Sequence, residues 1–169
     1  MILNRKNIRV LIVEPSNQQQ RIEKARTNGS LAPAYLVGAL RKNGIEADYL
    51  DATVGPIGSD LKKTFYQRTE MENGNIRVGM NYDELPEIFS HYDIVATSST
   101  FTLQTRMHFE LAAIAKKVVK ENGQSILVVS GGVNARSLRE HFLMNGFDIV
   151  ALGDGERPIV QIVEQLSSG

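Results

Sequence analysis

The chain contains five short strand-like segments: four are apolar runs, of which the first is interrupted by Arg9, and the second in chain order, residues 47–50, mixes apolar and polar residues. They cover residues 8–13, 47–50, 94–97, 126–129 and 149–152. Runs of this length with little alternation are typical of parallel strands that are buried on both faces. The segments between them carry apolar residues at helical spacing. This alternation predicts an α/β fold: a doubly wound, flavodoxin-like sheet of the Rossmann type, with five parallel strands in the order 2-1-3-4-5 and helices on both faces.

Helical spacing predicts five helices, and an Asn-Gly pair ends several of them. They cover residues 31–42, 82–89, 103–121, 135–144 and 158–166. In the first helix Tyr35 and Leu36 fall on the apolar stripe, and Tyr49 belongs to the second strand. We therefore expect these three side chains in the core.

Two segments do not fit the alternation. Residues 17–30 are polar and end in a Thr-Asn-Gly-Ser turn, which predicts a long loop with room for a short helix. Residues 53–82 are interrupted by glycine and proline and are predicted to be an insertion within a single domain spanning 1–169. Inside the insertion we expect a helical turn or two over 61–66 and a short strand or arm over 76–80.

Composition excludes several classes of protein. Nineteen basic residues balance nineteen acidic ones, which argues against a nucleic-acid partner and leaves little repulsion against a homodimer. The chain has no cysteine, so disulfides, thiolate catalysis and iron–sulfur clusters are excluded within it. No run approaches the ~20 apolar residues needed to span a bilayer, and the first nine residues do not resemble a signal peptide. We therefore expect a cytoplasmic protein with no membrane partner.

The candidate site residues follow the predicted strands, where loops of parallel sheets meet at one edge and bind ligands. They are Pro15, Ser98, Ser99, Thr100, Thr102, Gly131, Gly132, Val133, Gly153, Asp154, Gly155 and Glu156. The strand order predicts a crevice between the first and third strands, flanked by residues 14–30 and 98–102. Plainer interpretations also fit: Ser98 and Thr100 as helix caps, Gly131-Gly132 as a tight turn, and Asp154 and Glu156 as acids at a helix start.

The sequence lacks the signatures of several other classes of protein that share this fold. A response regulator needs an acidic pocket, but the first strand ends in the lone Glu14. No G-x-G-x-x-G fingerprint or Walker loop follows that strand, and residues 14–18 do not form the hydroxyl-rich phosphate loop of flavodoxin. A small enzyme built on Glu14 and Ser98 is the weakest alternative, because no nucleophile or acid–base pair accompanies them.

A series of short motifs carries a family resemblance. In chain order they are Pro33-Ala34-Tyr35-Leu36, the L-R-x-x-G…D pattern of 40–51, D-x-V-x-x-S at 93–98, Gly131-Gly132, and Gly153-Asp154-Gly155-Glu156. In this order and spacing the chain, over residues 8–166, resembles the cobalamin-binding domain found at the N terminus of cobalamin-dependent radical S-adenosylmethionine enzymes.

The resemblance implies specific roles for the loops. Ser98, Thr100 and Thr102 would offer hydroxyls to the nucleotide tail of cobalamin, and the glycines would give that tail and the ring amides close access to the backbone. Related cobalamin domains carry D-x-H-x-x-G after the first strand, with a histidine on cobalt, and this chain lacks it. The three histidines, His91, His108 and His141, are expected to be surface or packing residues rather than metal ligands.

The resemblance also implies a partner. A radical S-adenosylmethionine domain, with its iron–sulfur cluster, would lie in a longer protein of which this chain is the N-terminal part. The chain would not be catalytic alone, and the chemistry would be methyl transfer or a radical rearrangement. The alternative is a degenerate domain of the same fold that has lost the cofactor and serves in assembly or substrate recognition.

Overall fold

The computed structural model describes residues 8–21, 24, 30–120 and 122–168. Within these residues the strands are β1 (Arg9–Glu14), β2 (Asn17–Gln19), β3 (Glu46–Asp51), β4 (Arg68–Glu70), β5 (Ile76–Val78), β6 (Ile94–Ser98), β7 (Leu127–Gly131) and β8 (Ile149–Val150). The helices are α1 (Ala32–Lys42), α2 (Leu85–Ser90), α3 (Thr105–Lys117), α4 (Val133–Ser137), α5 (Arg139–Met144) and α6 (Glu156–Ser168).

The main sheet has five parallel strands in the order β3-β1-β6-β7-β8. Counted along the predicted strands this is 2-1-3-4-5, so both the flavodoxin-like fold class and the strand order are confirmed. Val10 lies between Ala47 of β3 and Ile94 of β6 in the register, which places β1 in the interior of the sheet. Its side chains are buried because helices cover both faces.

The core consists of two apolar layers, one on each face of the sheet. Val10 and Ile12 pack toward α1 and α6, whereas Leu11 and Val13 pack toward α2 and α3. This alternation follows from the two-residue period of a strand. It fixes which face any later residue of the same strand presents, and that decides the geometry of the site described below.

The segment over 17–30 is not simply a loop, because β2 lies within it. This strand pairs antiparallel with β5, and β4 pairs with the other side of β5. The side-chain amide of Gln104 binds the free edge of β2: it accepts from the N–H of Gln18 at 2.9 Å and donates to the Gln18 carbonyl at 2.9 Å. The rest of the segment, with its expected short helix, falls largely outside the described residues.

In the insertion, the strand expected over 76–80 is confirmed as β5. Residues 61–66, where a helical turn or two is expected, form hydrogen-bonded turns that do not continue into a helix. The Asp60 carboxylate accepts from the N–H of Lys62 at 2.9 Å, and the Asp60 carbonyl accepts from Lys63 at 2.8 Å. The first of these bonds forms an Asx turn and the second closes a backbone turn.

The helix predicted over 103–121 is shorter and begins differently. A 3-10 turn, Thr102–Gln104, precedes α3. The helix stops before the predicted boundary because Val118 adopts an extended conformation (φ −77°, ψ 120°). The next residue, Val119, then forms an antiparallel bridge with Ser125.

The helix predicted over 135–144 is divided in two at Leu138 (φ −111°, ψ 31°). The break turns α5 so that Phe142 enters the core, where it is fully buried. Its ring packs edge-on against Phe109 at a centroid distance of 5.0 Å and lies 5.1 Å from Phe147. Packing of this aromatic cluster accounts for the interruption that the apolar pattern did not predict.

At the C-terminal end, β8 comprises two residues where 149–152 was predicted. Helix α6 extends beyond both predicted ends, over Glu156–Ser168.

None of the helices in the described part of the chain has the length and apolar character needed to cross a membrane.

His108 is the buried histidine of the core, on the face covered by α3 and α5. It is 2% exposed and lies 6.3 Å from the Phe142 ring. Its Nδ1 has no hydrogen-bond partner among the described residues. Burial lowers the pKa of His108 to about 4. The ring is therefore a neutral packing residue at pH 7.

This burial predicts acid sensitivity. Because the pKa of His108 is lower in the folded state than in the unfolded chain, the unfolded state binds the proton first, and stability falls as pH drops from about 6.5 toward 4. The integrated loss is on the order of 3 kcal/mol. Urea unfolding across this pH range should show a flatter profile for His108→Leu than for the wild type. The exposed His141→Gln control should keep the wild-type slope, and identical slopes in all three proteins would contradict the assignment.

Candidate ligand-binding cavity

A cavity of about 740 Å³ opens at the carboxyl edge of the main sheet, between the sheet and helices α1 and α6. Its floor is made by positions on one face of β6, β7 and the chain after β8. They are Ala96, Ser98, Val129, Gly131 and Ala151. Leu36 of α1 and Ile159 and Ile162 of α6 form the walls. The floor is low because most of these side chains are very small, and the volume falls in the range of roughly 300–1,000 Å³ that is typical of small-molecule sites.

Gly131, the last residue of β7, and Gly132, the residue after it, have different roles. At Gly131 an added Cβ would meet the Ala151 Cβ at 3.5 Å, which is an ordinary contact. The missing side chain of Gly131 is therefore not needed to avoid a clash, and it leaves open space in the cavity. Gly132 has φ 91° and ψ 168°, a conformation that is essentially restricted to glycine. An added Cβ there would lie 2.5 Å from the Ser99 carbonyl oxygen. The tight-turn interpretation therefore holds for Gly132, and Gly131 is the position that keeps the cavity open.

A buried hydrogen-bond network holds the loops around the cavity together. The Ser99 N–H donates to the Gly131 carbonyl at 2.8 Å, and the Asn134 N–H donates to the Ser99 carbonyl at 3.1 Å. The Asn134 side-chain amide donates to Ser99 Oγ at 2.9 Å and to Thr105 Oγ1 at 2.8 Å. Sequence reasoning missed Asn134; the one available signal was a polar residue in the first turn of a helix directly after Gly-Gly.

Nine of the twelve candidate residues line the cavity. They are Ser98, Thr100, Gly131, Gly132, Val133, Gly153, Asp154, Gly155 and Glu156. The other three lie outside the lining. Pro15 is buried after β1, Ser99 is fully buried within the Asn134 network, and Thr102 is exposed at the start of the 3-10 turn.

The crevice is displaced from its predicted position. The strand order predicts it between β1 and β6, but the cavity lies over β6, β7 and the chain after β8, and Glu14 does not line it. The expectation of a buried core position is also wrong for Tyr35, which is 63% exposed and lines the cavity, and for Tyr49, which is 44% exposed. Leu36 is partly buried and forms a wall, packing where Gly155 lacks a side chain: an added Cβ would lie 2.8 Å from its Cδ2.

Of the plainer interpretations, the structure contradicts the helix-cap role of Ser98 and Thr100 and agrees with the helix-start position of Glu156. The N-cap residues of the 3-10 turn after Thr100 and of α3 are Phe101 and Gln104, so neither Ser98 nor Thr100 is a helix cap. Glu156 is the first residue of α6, where a carboxylate is favoured by the helix dipole. Asp154 precedes that helix and is exposed.

The cavity carries charge at its mouth and no imidazole. Arg136, Asp154, Glu156 and Arg157 line it, so two cations and two carboxylates share the entrance. None of the three histidines does, since His108 lies on the opposite face of the sheet and the other two are exposed on the surface. Within the described residues no cluster of three or more His, Cys, Asp or Glu side chains could hold a metal ion.

The fold and the cavity define a class: a flavodoxin-like α/β domain with a cavity at the carboxyl ends of its strands. No protein-family model matches the chain. The chain is 26% identical over 164 residues to the cytidylyl-2-hydroxyethylphosphonate methyltransferase of Streptomyces wedmorensis. The alignment covers 94% of this chain and 28% of that protein, so the chain spans less than a third of the length of the curated relative it matches.

Proposed function

We propose that this chain is a cobalamin-binding domain that presents the corrinoid to a catalytic domain. The observation that carries the proposal is the cavity of about 740 Å³ between the carboxyl edge of the sheet and helices α1 and α6. Its small floor residues leave room for a flat group against the sheet. Its position follows the general rule for ligands of open α/β sheets.

The residues present fit the nucleotide tail of cobalamin. That tail ends in a flat, largely apolar benzimidazole joined to a ribose phosphate. Ala96 and Val129 below, with Ile159 and Ile162 above, form an apolar slot suited to the heterocycle. Toward the mouth, the Ser98 hydroxyl and the backbone around the Gly131-Gly132 turn suit neutral amides and ribose oxygens.

The composition of the lining bears on how cobalamin would be held. With no histidine in the lining, this chain would supply no imidazole to cobalt from the cavity. A benzimidazole inserted in the slot cannot at the same time coordinate cobalt. The domain would hold cobalamin with its lower base displaced, while the cofactor, when bound, supplies a transferable methyl group.

The relative supports the methyl-transfer side of the proposal, because that protein is named a methyltransferase. A radical S-adenosylmethionine domain, with its iron–sulfur cluster, would have to lie elsewhere in a longer protein, since this chain has no cysteine to bind such a cluster. On this view the domain binds and orients the cofactor and is not catalytic alone.

The alternative is a degenerate domain that has lost the cofactor. Leu36 favours it, because this side chain reaches over Gly155 and narrows the cavity from the α1 side. The space that remains is still adequate for a ligand, which is why we place cobalamin binding first.

The purified chain should retain hydroxocobalamin through gel filtration at protein concentrations of about 10–100 μM, a range that detects micromolar affinity. Methylcobalamin added to the same protein should shift to the spectrum of the form with the lower base displaced. The physical reason is that the tail occupies the slot instead of cobalt. A colourless protein fraction, together with unchanged spectra, would refute the proposal and favour the degenerate domain.

A further inference from the structure

Two arginines at the cavity mouth differ from most others in the described part of the chain. Most of the arginines there form ion pairs with carboxylates. The paired arginines are Arg9, Arg21, Arg41, Arg77 and Arg106. Arg136 and Arg157 have no ion pair or side-chain hydrogen bond among the described residues, although both line the cavity.

The two arginines reach the mouth from different elements. Arg136 lies on α4, directly after the Gly131-Gly132 turn, and Arg157 is the second residue of α6. Both arginines are exposed, whereas Val129 and Ile159, which line the same cavity, are buried apolar side chains. An apolar slot with guanidinium groups at its entrance suits a flat heterocycle that carries a phosphate, because guanidinium donors match phosphate oxygens in geometry and charge.

We infer that Arg136 and Arg157 bind the phosphodiester of the nucleotide tail, so that the domain selects complete cobalamin over cobinamide. Cobinamide has the same corrin ring but lacks the nucleotide and its phosphate. This inference rests on the proposed cobalamin function and adds a determinant of specificity to it.

The carboxylates at the mouth oppose the arginines. Asp154 and Glu156 line the same entrance, yet neither forms an ion pair with Arg136 or Arg157. Their charges would weaken phosphate binding at this mouth. Removing them should therefore act in the opposite direction from removing the arginines.

Equilibrium dialysis of the full chain against cobalamin and cobinamide tests the inference. The Arg136→Gln/Arg157→Gln double variant should bind cobalamin about tenfold more weakly, a modest effect because both side chains are exposed, while its cobinamide affinity stays unchanged. The control Arg139→Gln removes a nearby exposed arginine that does not line the cavity, and it should bind both ligands as the wild type does. Asp154→Asn/Glu156→Gln should bind cobalamin more tightly.

The outcomes separate the two proposals. Retention of cobalamin with equal changes for both ligands, or with none, overturns the arginine assignment and leaves the cobalamin proposal standing. A wild type that binds neither ligand overturns both. Cytidine monophosphate as a competitor distinguishes the source of the phosphate: if it binds only when both arginines are present, and cobalamin binding does not depend on them, the arginines serve a free nucleotide and the inference fails.

Discussion

Replacing Gly132 by alanine is expected to destabilise the fold by about 3–5 kcal/mol. Two costs combine at this position. The backbone angles (φ 91°, ψ 168°) lie in a region that is essentially closed to residues with a Cβ. The new methyl group would also approach the Ser99 carbonyl oxygen to 2.5 Å. That oxygen accepts from the Asn134 N–H at 3.1 Å, so any backbone shift that relieves the clash disturbs the network behind the cavity.

Gly123→Ala is the matched control for this change. Gly123 also has a positive φ, 75°, but an added Cβ there would meet nothing within 4 Å. The Gly123→Ala variant should be destabilised only by the strain of a positive φ in a residue with a Cβ, which costs about 1 kcal/mol. Urea unfolding of both variants at pH 7 gives the comparison. Equal losses would mean that the contact with Ser99 contributes nothing beyond backbone strain.

The main sheet could be predicted because its signal is local and strong. Each central strand is an apolar run buried on both faces, and right-handed crossovers leave few ways to order such strands. The small sheet could not be predicted in the same way. Its strand β2 is polar, and it is held by backbone pairing with β5 and by the side chain of Gln104, eighty-six residues away from Gln18. A local sequence pattern does not predict contacts between residues that are so far apart in the chain.

The loops of the site were predictable, but the position of the cavity was not. Small residues after parallel strands mark the carboxyl edge of the sheet, and most of the candidate residues do meet there. The lateral position depends on where α1 and α6 leave a gap above the sheet. Packing of two helices that are distant in sequence sets that gap, and the strand order alone does not specify it.

Tyr35 and Leu36 show that helical periodicity does not distinguish a core residue from one that lines a cavity. An apolar side chain at helical spacing can pack into the core or line a ligand cavity, and both uses produce the same periodicity. Arg136, Arg157 and Asn134 could not be recognised as site residues for a different reason. Polar residues on helices are common on protein surfaces, so the positions of these three at the mouth and behind the loops emerge only from the tertiary structure.

Gly131→Leu is expected to abolish the binding of cobalamin, with a loss of at least about 100-fold in affinity, or about 2.8 kcal/mol. Gly131 has ordinary backbone angles, and a Cβ there would make an ordinary contact with Ala151 at 3.5 Å, so the variant should fold. The remaining carbons of the leucine would occupy the floor between Ser98 and Ala151, where we propose that the benzimidazole lies. Gly131→Ala adds one methyl group and should have an intermediate effect.

Gly38→Leu adds the same side chain elsewhere. Gly38 lies on the exposed side of α1, outside the cavity lining, and an added Cβ there meets nothing within 4 Å. This variant should bind cobalamin as the wild type does. Thermal unfolding of each protein without ligand shows whether the fold is intact before dialysis against hydroxocobalamin. If folded Gly131→Leu retains wild-type affinity, the tail does not enter this cavity, because a leucine and a benzimidazole cannot occupy the same floor of the slot.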